Sequence, residues 1–292
     1  MNGLVLINKP TDFTSFDVVA VMRRVLGTRK IGHTGTLDPM ATGVLPLLVG
    51  KATRLCDLMP IGDKTYQATL QLGVTTDTLD CTGTVLSEQE CHITETEFQA
   101  ILPQFVGNQM QLPPMYSAVS VNGVRLYDLA RQGKTVERTP RPITVYSIDY
   151  VEGCEATQTF TIQVACSKGT YIRSLIDDMG KVLGCGAMMT ALCRTAACGF
   201  ELSQCVDLEQ AKKMNPNDLL LPIETAVAGY PAVTVTAPQA TRFQNGGPLD
   251  LDRLPISNQS EGIFRVYAPE RVLIGLGFIC KETNALKIQC LF

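Results

Sequence analysis

Two segments of the chain alternate apolar and polar residues, and one of them leads directly into a helical pattern. In residues 66–74 and 160–166 every second residue is apolar, as in a strand with one buried face. The turn-like sequence Ser-Lys-Gly-Thr follows residue 166, and apolar residues then recur at helical spacing as far as Gly184. Strands and helices are therefore intermixed along the chain, which indicates an α/β or α+β fold.

Two further helices are indicated by their first residues. Thr14 and Asp17 have the spacing of a capping box, and the apolar residues at helical spacing that follow them end at Gly27. Thr94 and Glu97 repeat the arrangement. From residue 230 onward, apolar residues occur instead in short strand-like runs. We therefore expect a small β-rich domain at residues 230–292, after a larger domain at residues 1–229.

The composition argues against several classes of protein. Of the 292 residues, 45% are hydrophobic and 18% are charged, and the net charge is −3, as expected for a globular chain. No apolar run approaches the roughly 18 residues of a membrane span, and the first residues lack the pattern of a secretory signal. The eleven cysteines form no C-x-x-C pair, and His33 and His92 lie at no ligand spacing. We expect a cytoplasmic protein with no metal and no membrane association.

Residues 32–43 are the least regular part of the sequence. They read Gly-His-Thr-Gly-Thr-Leu-Asp-Pro-Met-Ala-Thr-Gly, and the three glycines and one proline predict a shaped loop. Pro39 disfavours helical backbone angles at Asp38, and the glycines allow a ligand to approach the backbone closely. Asp38 is thus a candidate catalytic carboxylate, although an aspartate in such a loop is also a common turn residue.

Patterns typical of other enzymes are missing from the sequence. The Gly-Lys pairs at residues 50–51 and 133–134 resemble the end of a phosphate-binding P-loop, but neither has a glycine five residues before its own glycine. The sequence contains no G-x-S-x-G motif, so a serine hydrolase is not indicated either.

Residues 32–46 resemble the signature loop of the TruB family of tRNA pseudouridine synthases, in which the aspartate is the catalytic residue. Further stretches match this family in order: residues 8–10 (Asn-Lys-Pro), 64–66 (Lys-Thr-Tyr), 76–80 (Thr-Asp-Thr-Leu-Asp), 114–118 (Pro-Met-Tyr-Ser-Ala) and 166–173 (Cys-Ser-Lys-Gly-Thr-Tyr-Ile-Arg). The resemblance covers nearly the whole chain. It implies an α+β fold with a pseudouridine-synthase-like sheet, mixed but mainly antiparallel and flanked by helices.

The resemblance also implies a reaction and the residues that perform it. The family isomerises the T-loop uridine 55 of tRNA to pseudouridine, and a net isomerisation needs no redox cofactor, ATP or metal. Asp38 would be the catalytic carboxylate, and Arg173 the cation that keeps it ionised. The residues implied as substrate-binding are His33, Tyr66, Tyr171, Leu192, Lys9 and, by a weaker match, Asp80.

The uridine of a stacked T loop has to be flipped out before it can react. By resemblance, Tyr66 stacks on the uracil, while Tyr171 and Leu192 line its pocket. His33 would fill the gap or support the displaced bases, and Lys9 could contact a phosphate or merely precede a turn. Since residues two apart diverge by about 200° on a helix, we expect Tyr171 and Arg173 on the turn before the helix.

Two regions are candidates for binding RNA. Residues 121–142 contain five basic and two acidic residues, a charge that suits a phosphate backbone, and they resemble the family's RNA-clamping thumb insertion. Residues 230–292 occupy the place of the family's PUA RNA-binding module. We expect the partner to be tRNA, bound through its T arm, and we expect a monomer with no obligatory protein partner.

Three alternatives remain at this stage. A guide-RNA-dependent relative would need protein partners and typically lacks the thumb-like insertion. A tRNA-folding chaperone would need no catalysis, so Asp38→Asn should leave its tRNA folding intact. A glycoside hydrolase would require a second carboxylate about 5 to 9 Å from the first, and the sequence nominates none.

Overall fold

The structure, a computed structural model, describes residues 1–121, 123–256 and 261–292. Asn122 of the expected thumb-like insertion and residues 257–260 of the expected C-terminal domain lie outside the described residues.

The strands within the described ranges are β1 Gly3–Lys9, β2 Ile31–His33, β3 Thr42–Val49, β4 Lys64–Leu72, β5 Val74–Thr76, β6 Val85–Glu88, β7 Gly107–Gln111, β8 Ser120–Val121, β9 Val124–Arg125, β10 Arg141–Cys154, β11 Thr159–Cys166, β12 Ala187–Ala197, β13 Phe200–Glu201, β14 Val206–Asp207, β15 Ala232–Thr234, β16 Leu249–Asp250, β17 Ile263–Tyr267, β18 Leu273–Cys280 and β19 Ala285–Leu291. The α-helices are α1 Ser15–Val25, α2 Glu95–Ile101, α3 Leu126–Arg131, α4 Ile172–Val182, α5 Leu208–Ala211, α6 Pro216–Leu219, α7 Ile223–Val227 and α8 Ala237–Gln244.

One large mixed sheet forms the centre of the molecule. Its strands follow the order β14-β1-β3-β12-β4-β11-β10-β7, with β13 paired to β12 and β2 paired to β3. The pairs β1–β14 and β3–β12 are parallel, and the other pairs in this sheet are antiparallel. The predicted α+β fold with a mainly antiparallel sheet is thereby confirmed.

Helices α1 and α2 begin as their sequences predict. Thr14 and Asp17 form a reciprocal capping box in front of α1, and Thr94 and Glu97 form the same arrangement in front of α2. Each helix buries an apolar face against the sheet, and the α2 residue Phe98 stacks on a strand residue with ring centroids 4.4 Å apart. Local caps and apolar burial therefore act together in placing both helices.

Helix α4 lies between strands β11 and β12 in the chain and follows the loop at residues 167–171. Its residues Leu175, Ile176 and Met179 are at most 1% exposed, as the helical spacing predicts. The helix begins at Ile172, so the expectation that Arg173 lies on the preceding turn is wrong. Tyr171 is extended, with φ −98° and ψ 109°, and the helical backbone starts directly after it.

The C-terminal residues form a second sheet with the strand order β15-β17-β18-β19-β16. This sheet has its own apolar core with helix α8, and residues of β18 and β19 also pack into an apolar cluster with β1 and β3. Two polar contacts add to this junction, because Tyr230 Oη donates to the Leu58 carbonyl at 3.0 Å and Arg54 donates to the Leu291 carbonyl at 2.6 Å. The second sheet is thus packed against the first.

The segment between β7 and β10 carries a short hairpin and a helix. The hairpin consists of β8 and β9, and α3 follows directly. Arg141 and Pro142 already belong to β10, where they pair with Gln111 and Met110 of β7. The expected thumb-like insertion therefore gives way to the sheet two residues before its predicted end at residue 142.

Gly43 provides a test of how closely β3 must approach β12. Its φ is +106°, and a Cβ at this position would lie 2.2 Å from the Arg194 carbonyl oxygen. Gly43→Ala should therefore lower the free energy of unfolding by about 3 kcal/mol, measured by urea denaturation. Gly184→Ala is the matched control, since Gly184 has φ +75° with nothing within 4 Å of the added carbon. The control should cost about 1 to 2 kcal/mol, and equal losses would contradict the close approach.

Candidate active site

Asp38 lies in the loop between β2 and β3, and its neighbours fix the backbone of that loop. The N–H of Leu37 donates to Ser15 Oγ at 2.9 Å, which ties the loop to the first residue of α1. The N–H of Ala41 donates to the Asp38 carbonyl at 3.0 Å and closes the turn. Leu37 is 3% exposed, whereas the Asp38 side chain is 35% exposed. The loop is therefore anchored in the core while its carboxylate stays accessible.

The Asp38 carboxylate forms a two-point ion pair with Arg173. Arg173 Nε lies 2.9 Å from Asp38 Oδ2, and Nη2 donates to Oδ1 at 3.1 Å. One charge-assisted hydrogen bond and a second close ion-pair contact fix the orientation of the carboxylate as well as its position. The sequence places these residues 135 positions apart, and the fold brings them into contact.

The remaining donors of Arg173 are also engaged. Nη1 donates to the Thr78 carbonyl and Nη2 to the Tyr116 carbonyl, both at 2.9 Å, and Asp80 Oδ2 lies 3.6 Å from Nη1. Asp80 in turn accepts hydrogen bonds from the hydroxyls of Thr78 and Thr82 at 2.7 and 2.6 Å. Because the guanidinium is held on every side, it presents Asp38 in one orientation.

The surroundings of Asp38 change its acidity. Burial raises the pKa of Asp38 above its ordinary value of 3.8, the charge of Arg173 opposes this rise, and the charge of Asp80 adds to it. A carboxylate with a raised pKa takes up its proton at a higher pH than an exposed aspartate. Any reaction that needs the charged form should therefore slow as the pH falls through that raised value.

Lys9 lies beneath the same loop and has no access to solvent. The residue is 0% exposed, and its ammonium donates to the carbonyls of Pro10, Phe13 and Pro39 at 2.8, 2.5 and 3.1 Å. Burial lowers the pKa of Lys9 to about 8, and the charge of Asp38 opposes that change. The structure thus disagrees with the expected contact between Lys9 and a phosphate, since the charged group is enclosed by backbone oxygens.

A cavity of about 250 Å³ opens beside Asp38. It brings together Asp38, Arg173, Tyr66, Tyr171 and Leu192, which are the predicted catalytic pair and three of the predicted binding residues. The full set of lining residues is Thr36, Leu37, Asp38, Lys64, Tyr66, Ser117, Ala118, Gly169, Thr170, Tyr171, Ile172, Arg173 and Leu192. Two tyrosines, an aliphatic side chain and a carboxylate thus line one cavity.

His33 and Asp80 lie outside the lining of this cavity. Asp80 lines an adjoining cavity of about 620 Å³ that shares Asp38 and Arg173 with the first. His33 lies on β2, and its Nδ1 is buried without a hydrogen-bond partner among the described residues. The structure therefore joins Asp80 to the site through Arg173 and leaves His33 at the edge of the loop.

Arg194 is a positioning residue that the sequence analysis missed. The side chain is 0% exposed, and its Nε donates to the Val44 carbonyl at 2.8 Å. Its Nη2 and Nη1 donate to the carbonyls of Gly35 and Thr36 at 3.2 and 3.5 Å. Arg194 therefore holds the loop just before Asp38. Alternation gave no signal for Arg194, because the register of β12 shifts between Met189 and Ala191 and the buried positions change parity there.

Gln111 is a second residue that the sequence analysis missed. The residue is 4% exposed, and its side-chain amide donates to the Tyr171 carbonyl at 3.0 Å and accepts from the Tyr171 N–H at 2.8 Å. This pair of bonds fixes the residue that precedes α4, and the Tyr171 side chain is left free to line the cavity. Nothing in the sequence around Gln111 distinguishes it from an exposed strand residue.

Two family models match the chain. One is described as TruB family pseudouridylate synthase (N terminal domain) and matches residues 23–172, and the other is described as tRNA pseudouridylate synthase B C-terminal domain and matches residues 173–228. A protein of Clostridium novyi (strain NT) named tRNA pseudouridine synthase B is 40% identical over 99% of both chains. The chain belongs to the TruB family. A protein of the same name from Dechloromonas aromatica (strain RCB) is 44% identical over 95% of this chain and 91% of its own.

Solved structures share the fold of this TruB-family chain. The structure titled "Crystal Structure of a Cbf5-Nop10-Gar1 Complex" matches with a TM-score of 0.76 and 24% identity, over 99% of this chain and 84% of that chain. A second, titled "Structure of H/ACA RNP bound to a substrate RNA containing 2'-deoxyuridine", matches with a TM-score of 0.74 and 23% identity over the same shares. At this identity the likeness establishes the common fold.

The chemistry of this TruB-family cavity is limited to a few charged groups. The charged side chains that line it are Asp38, Lys64 and Arg173. Across the described part of the chain, no three His, Cys, Asp or Glu side chains cluster as metal ligands, and all eleven cysteines are free thiols. None of the helices in the described ranges is long and apolar enough to cross a membrane.

Two substitutions in the ion-pair network should move the pKa of Asp38 in opposite directions. Asp80→Asn removes a negative charge and should lower this pKa, whereas Arg173→Gln removes the cation that favours the carboxylate and should raise it. A pH titration followed by ¹³C NMR of aspartate carboxyl groups measures both, with Asp38→Asn used to assign the resonance. Asp178→Asn is the control, since Asp178 pairs with Lys181 near the far end of α4. Shifts of the same sign in both variants would contradict the opposite effects of Asp80 and Arg173 on the pKa of Asp38.

Proposed function

We propose that the chain isomerises the T-loop uridine 55 of tRNA to pseudouridine, acting in the cytoplasm as a monomer without an obligatory protein partner. The observation that carries this proposal is the Asp38 carboxylate, held at the wall of the cavity by a hydrogen bond and a second ion-pair contact from Arg173. Membership of the TruB family and the names of the curated relatives support the same reaction.

The reaction explains why one carboxylate suffices. The N1–C1′ bond of the uridine breaks, the uracil turns, and C5 bonds to the same C1′. C5 then loses its proton to solvent and N1 gains one, so the product is an isomer and no redox cofactor, ATP or metal enters the balance. Asp38 either attacks C1′ as a nucleophile or removes a ribose proton, and both routes need it ionised. Arg173 favours that ionised form.

The dimensions of the cavity suit a flipped uracil. Its volume of about 250 Å³ corresponds to roughly eight water molecules, and uracil has eight non-hydrogen atoms. We assign Tyr66 to stacking on the base and Tyr171 and Leu192 to the walls around it. Unstacking the uridine costs a few kcal/mol, and contacts of this kind can offset that cost.

The other predicted site residues receive indirect roles in this proposal. Asp80 orients Arg173, from which it is 3.6 Å away, and Lys9 supports the turn after Asp38 through the Pro39 carbonyl. His33 remains assigned to supporting the displaced bases, since it lies on the strand that leads into the loop. We expect substitutions of these residues to act on how the nucleotide is positioned.

RNA outside the cavity would be bound by two further parts of the chain. The adjoining cavity of about 620 Å³ is lined by Tyr127 and Arg131 of α3 as well as by Asp38, which supports a thumb role for the part of the expected insertion that precedes β10. We assign residues 1–229 to the catalytic domain and 230–292 to a PUA-like RNA-binding domain. The T arm of tRNA would lie between these regions, with an affinity that falls as the salt concentration rises.

The alternatives differ from this proposal in ways that can be measured. A guide-RNA-dependent enzyme would need protein partners, and the 40% identity over 99% of both chains to a tRNA pseudouridine synthase B favours the stand-alone form. The Cbf5 structures share the fold, but at 23 to 24% identity this likeness does not bear on protein partners of the chain. A tRNA-folding chaperone would keep its effect without the Asp38 carboxylate, so one variant separates the two activities.

Asp38→Asn should abolish turnover while tRNA binding is retained. With T-arm RNA carrying tritium at uracil C5, the parent protein should release label from uridine 55, whereas the variant should be slower by at least about 10³-fold. Binding, measured by filter retention, should be unchanged because the amide keeps the shape of the carboxyl group. The control Asp178→Asn should turn over normally. Release from every uridine would overturn the specificity, and equal release by Asp38→Asn would overturn the mechanism.

Tyr66 should act through its ring. Tyr66→Phe should leave kcat/KM within about threefold, whereas Tyr66→Leu should lower it by about ten- to a hundredfold, the range expected for losing one stacked base. Both variants are first compared by urea denaturation, because Tyr66 is 6% exposed and contributes to the core. If Tyr66→Phe were as slow as Tyr66→Leu, the hydroxyl rather than stacking would be the feature that matters.

A further inference from the structure

Four cationic side chains of the described residues lie at the cavity or its loop, and three of them have their donors engaged. Arg173 binds Asp38 and two carbonyls. Arg194 donates to three carbonyls, and so does Lys9. These three side chains therefore hold the protein together and have little capacity to bind a ligand.

Lys64 is the fourth cation, and it differs from the others. It is the first residue of β4 and lines the cavity, and its ammonium makes no hydrogen bond or ion pair with any of the described residues. Nζ lies over the catalytic loop, because a Cβ built on Gly35 would be 3.5 Å from it. Burial and the charge of Arg194 lower the pKa of Lys64, and the thiols of Cys198 and Cys166 oppose this change.

The edge of the cavity around Lys64 favours an anion. Lys168 lies close enough to lower the pKa of Lys64 further, and it is itself exposed in the turn before α4. The N-terminus of α4 also reaches the cavity through Gly169, Thr170 and Tyr171, and no side chain caps this helix. Arg173 pairs with the Asp38 carboxylate, which therefore offers Lys64 no counter-ion among the residues that the structure describes.

We propose that Lys64 binds a phosphate group adjoining the flipped uridine. This inference rests on the proposed function, since a nucleotide in the cavity brings two phosphodiesters to its rim. Uracil and ribose are neutral, so these phosphates are the anions that substrate can offer to an unpaired ammonium. Lys64 thus supplies a fixed charge that recognises the backbone on one side of the target nucleotide and draws it into the cavity.

The experiment compares T-arm RNAs in which one phosphate is replaced by an uncharged methylphosphonate, either 5′ or 3′ of the target uridine. With the parent protein, one of the two replacements should lower kcat/KM by roughly tenfold, the loss expected for one charge-assisted hydrogen bond. The other replacement should have a smaller effect. The two arms therefore identify which phosphate Lys64 binds.

Lys64→Met should show the same loss on unmodified RNA and no further loss on the sensitive methylphosphonate. Lys64→Arg keeps the charge and should remain sensitive to that replacement. Lys213→Met is the control, because Lys213 is an exposed lysine after α5, away from the cavity, and it should behave as the parent protein does. Lys64→Gln takes the place of Lys64→Met if the latter does not fold, as judged by urea denaturation.

Several outcomes would overturn the inference. It fails if neither methylphosphonate slows the parent protein, if Lys64→Met equals the parent, or if the losses from Lys64→Met and from methylphosphonate multiply. Turnover of unmodified RNA by the parent protein is the separate readout for the proposed function. If the parent protein turns over unmodified RNA but the effects of Lys64→Met and of the methylphosphonate are independent, only the assignment of Lys64 is wrong. If the parent protein does not turn over unmodified RNA, both proposals are wrong.

Discussion

The Arg173 guanidinium binds the three segments of the chain that together form the site. It joins the loop that carries Asp38, the segment before Asp80 through the Thr78 carbonyl, and the segment before the expected thumb-like insertion through the Tyr116 carbonyl. Each of these segments alone is an irregular stretch with little to fix it. Because a buried charge is stable only when its partners satisfy it, the arginine and its partners hold one another in a single arrangement. The helix that carries Arg173 is anchored in the sheet by an apolar face, so this arrangement has a rigid base.

The loop that carries Asp38 is supported from below by buried cations that bind carbonyl oxygens. Arg194 holds the residues before Asp38, and Lys9 holds those after it. Because carbonyls rather than a carboxylate satisfy Lys9, its positive charge favours the ionised form of Asp38, against the desolvation that raises the pKa of Asp38. Lys64 is a further cation that lines the cavity, and in the proposal its partner comes from the substrate. Arg194 and Lys9 thus use their donors to hold backbone carbonyls, whereas in the proposal Lys64 uses its donors to bind the substrate.

The fold was predictable where the information was local, and the site only in part. The capping box before α1 and the alternation in the central strands are patterns of neighbouring residues, and the structure has both. Pro39 and the surrounding glycines nominated Asp38, but its pairing with Arg173 spans 135 positions and needed either the fold or the family resemblance. The burial of Lys9 could not be predicted, because its partners are backbone carbonyls of irregular segments that carry no sequence signature. Arg194 was missed for the same reason, since a buried arginine is ordinarily sought beside a carboxylate.

The proposed reaction requires a carboxylate of fixed orientation to meet a uridine taken out of its stack. A crystal structure of Asp38→Asn bound to T-arm RNA would show whether it does, since binding without turnover keeps the substrate in place. We expect uridine 55 to lie in the cavity with its base on Tyr66 and with C1′ about 3 to 3.5 Å from the residue 38 side chain, the range of a near-attack geometry. A uridine that stays stacked in the T loop, with the RNA bound away from this cavity, would contradict it.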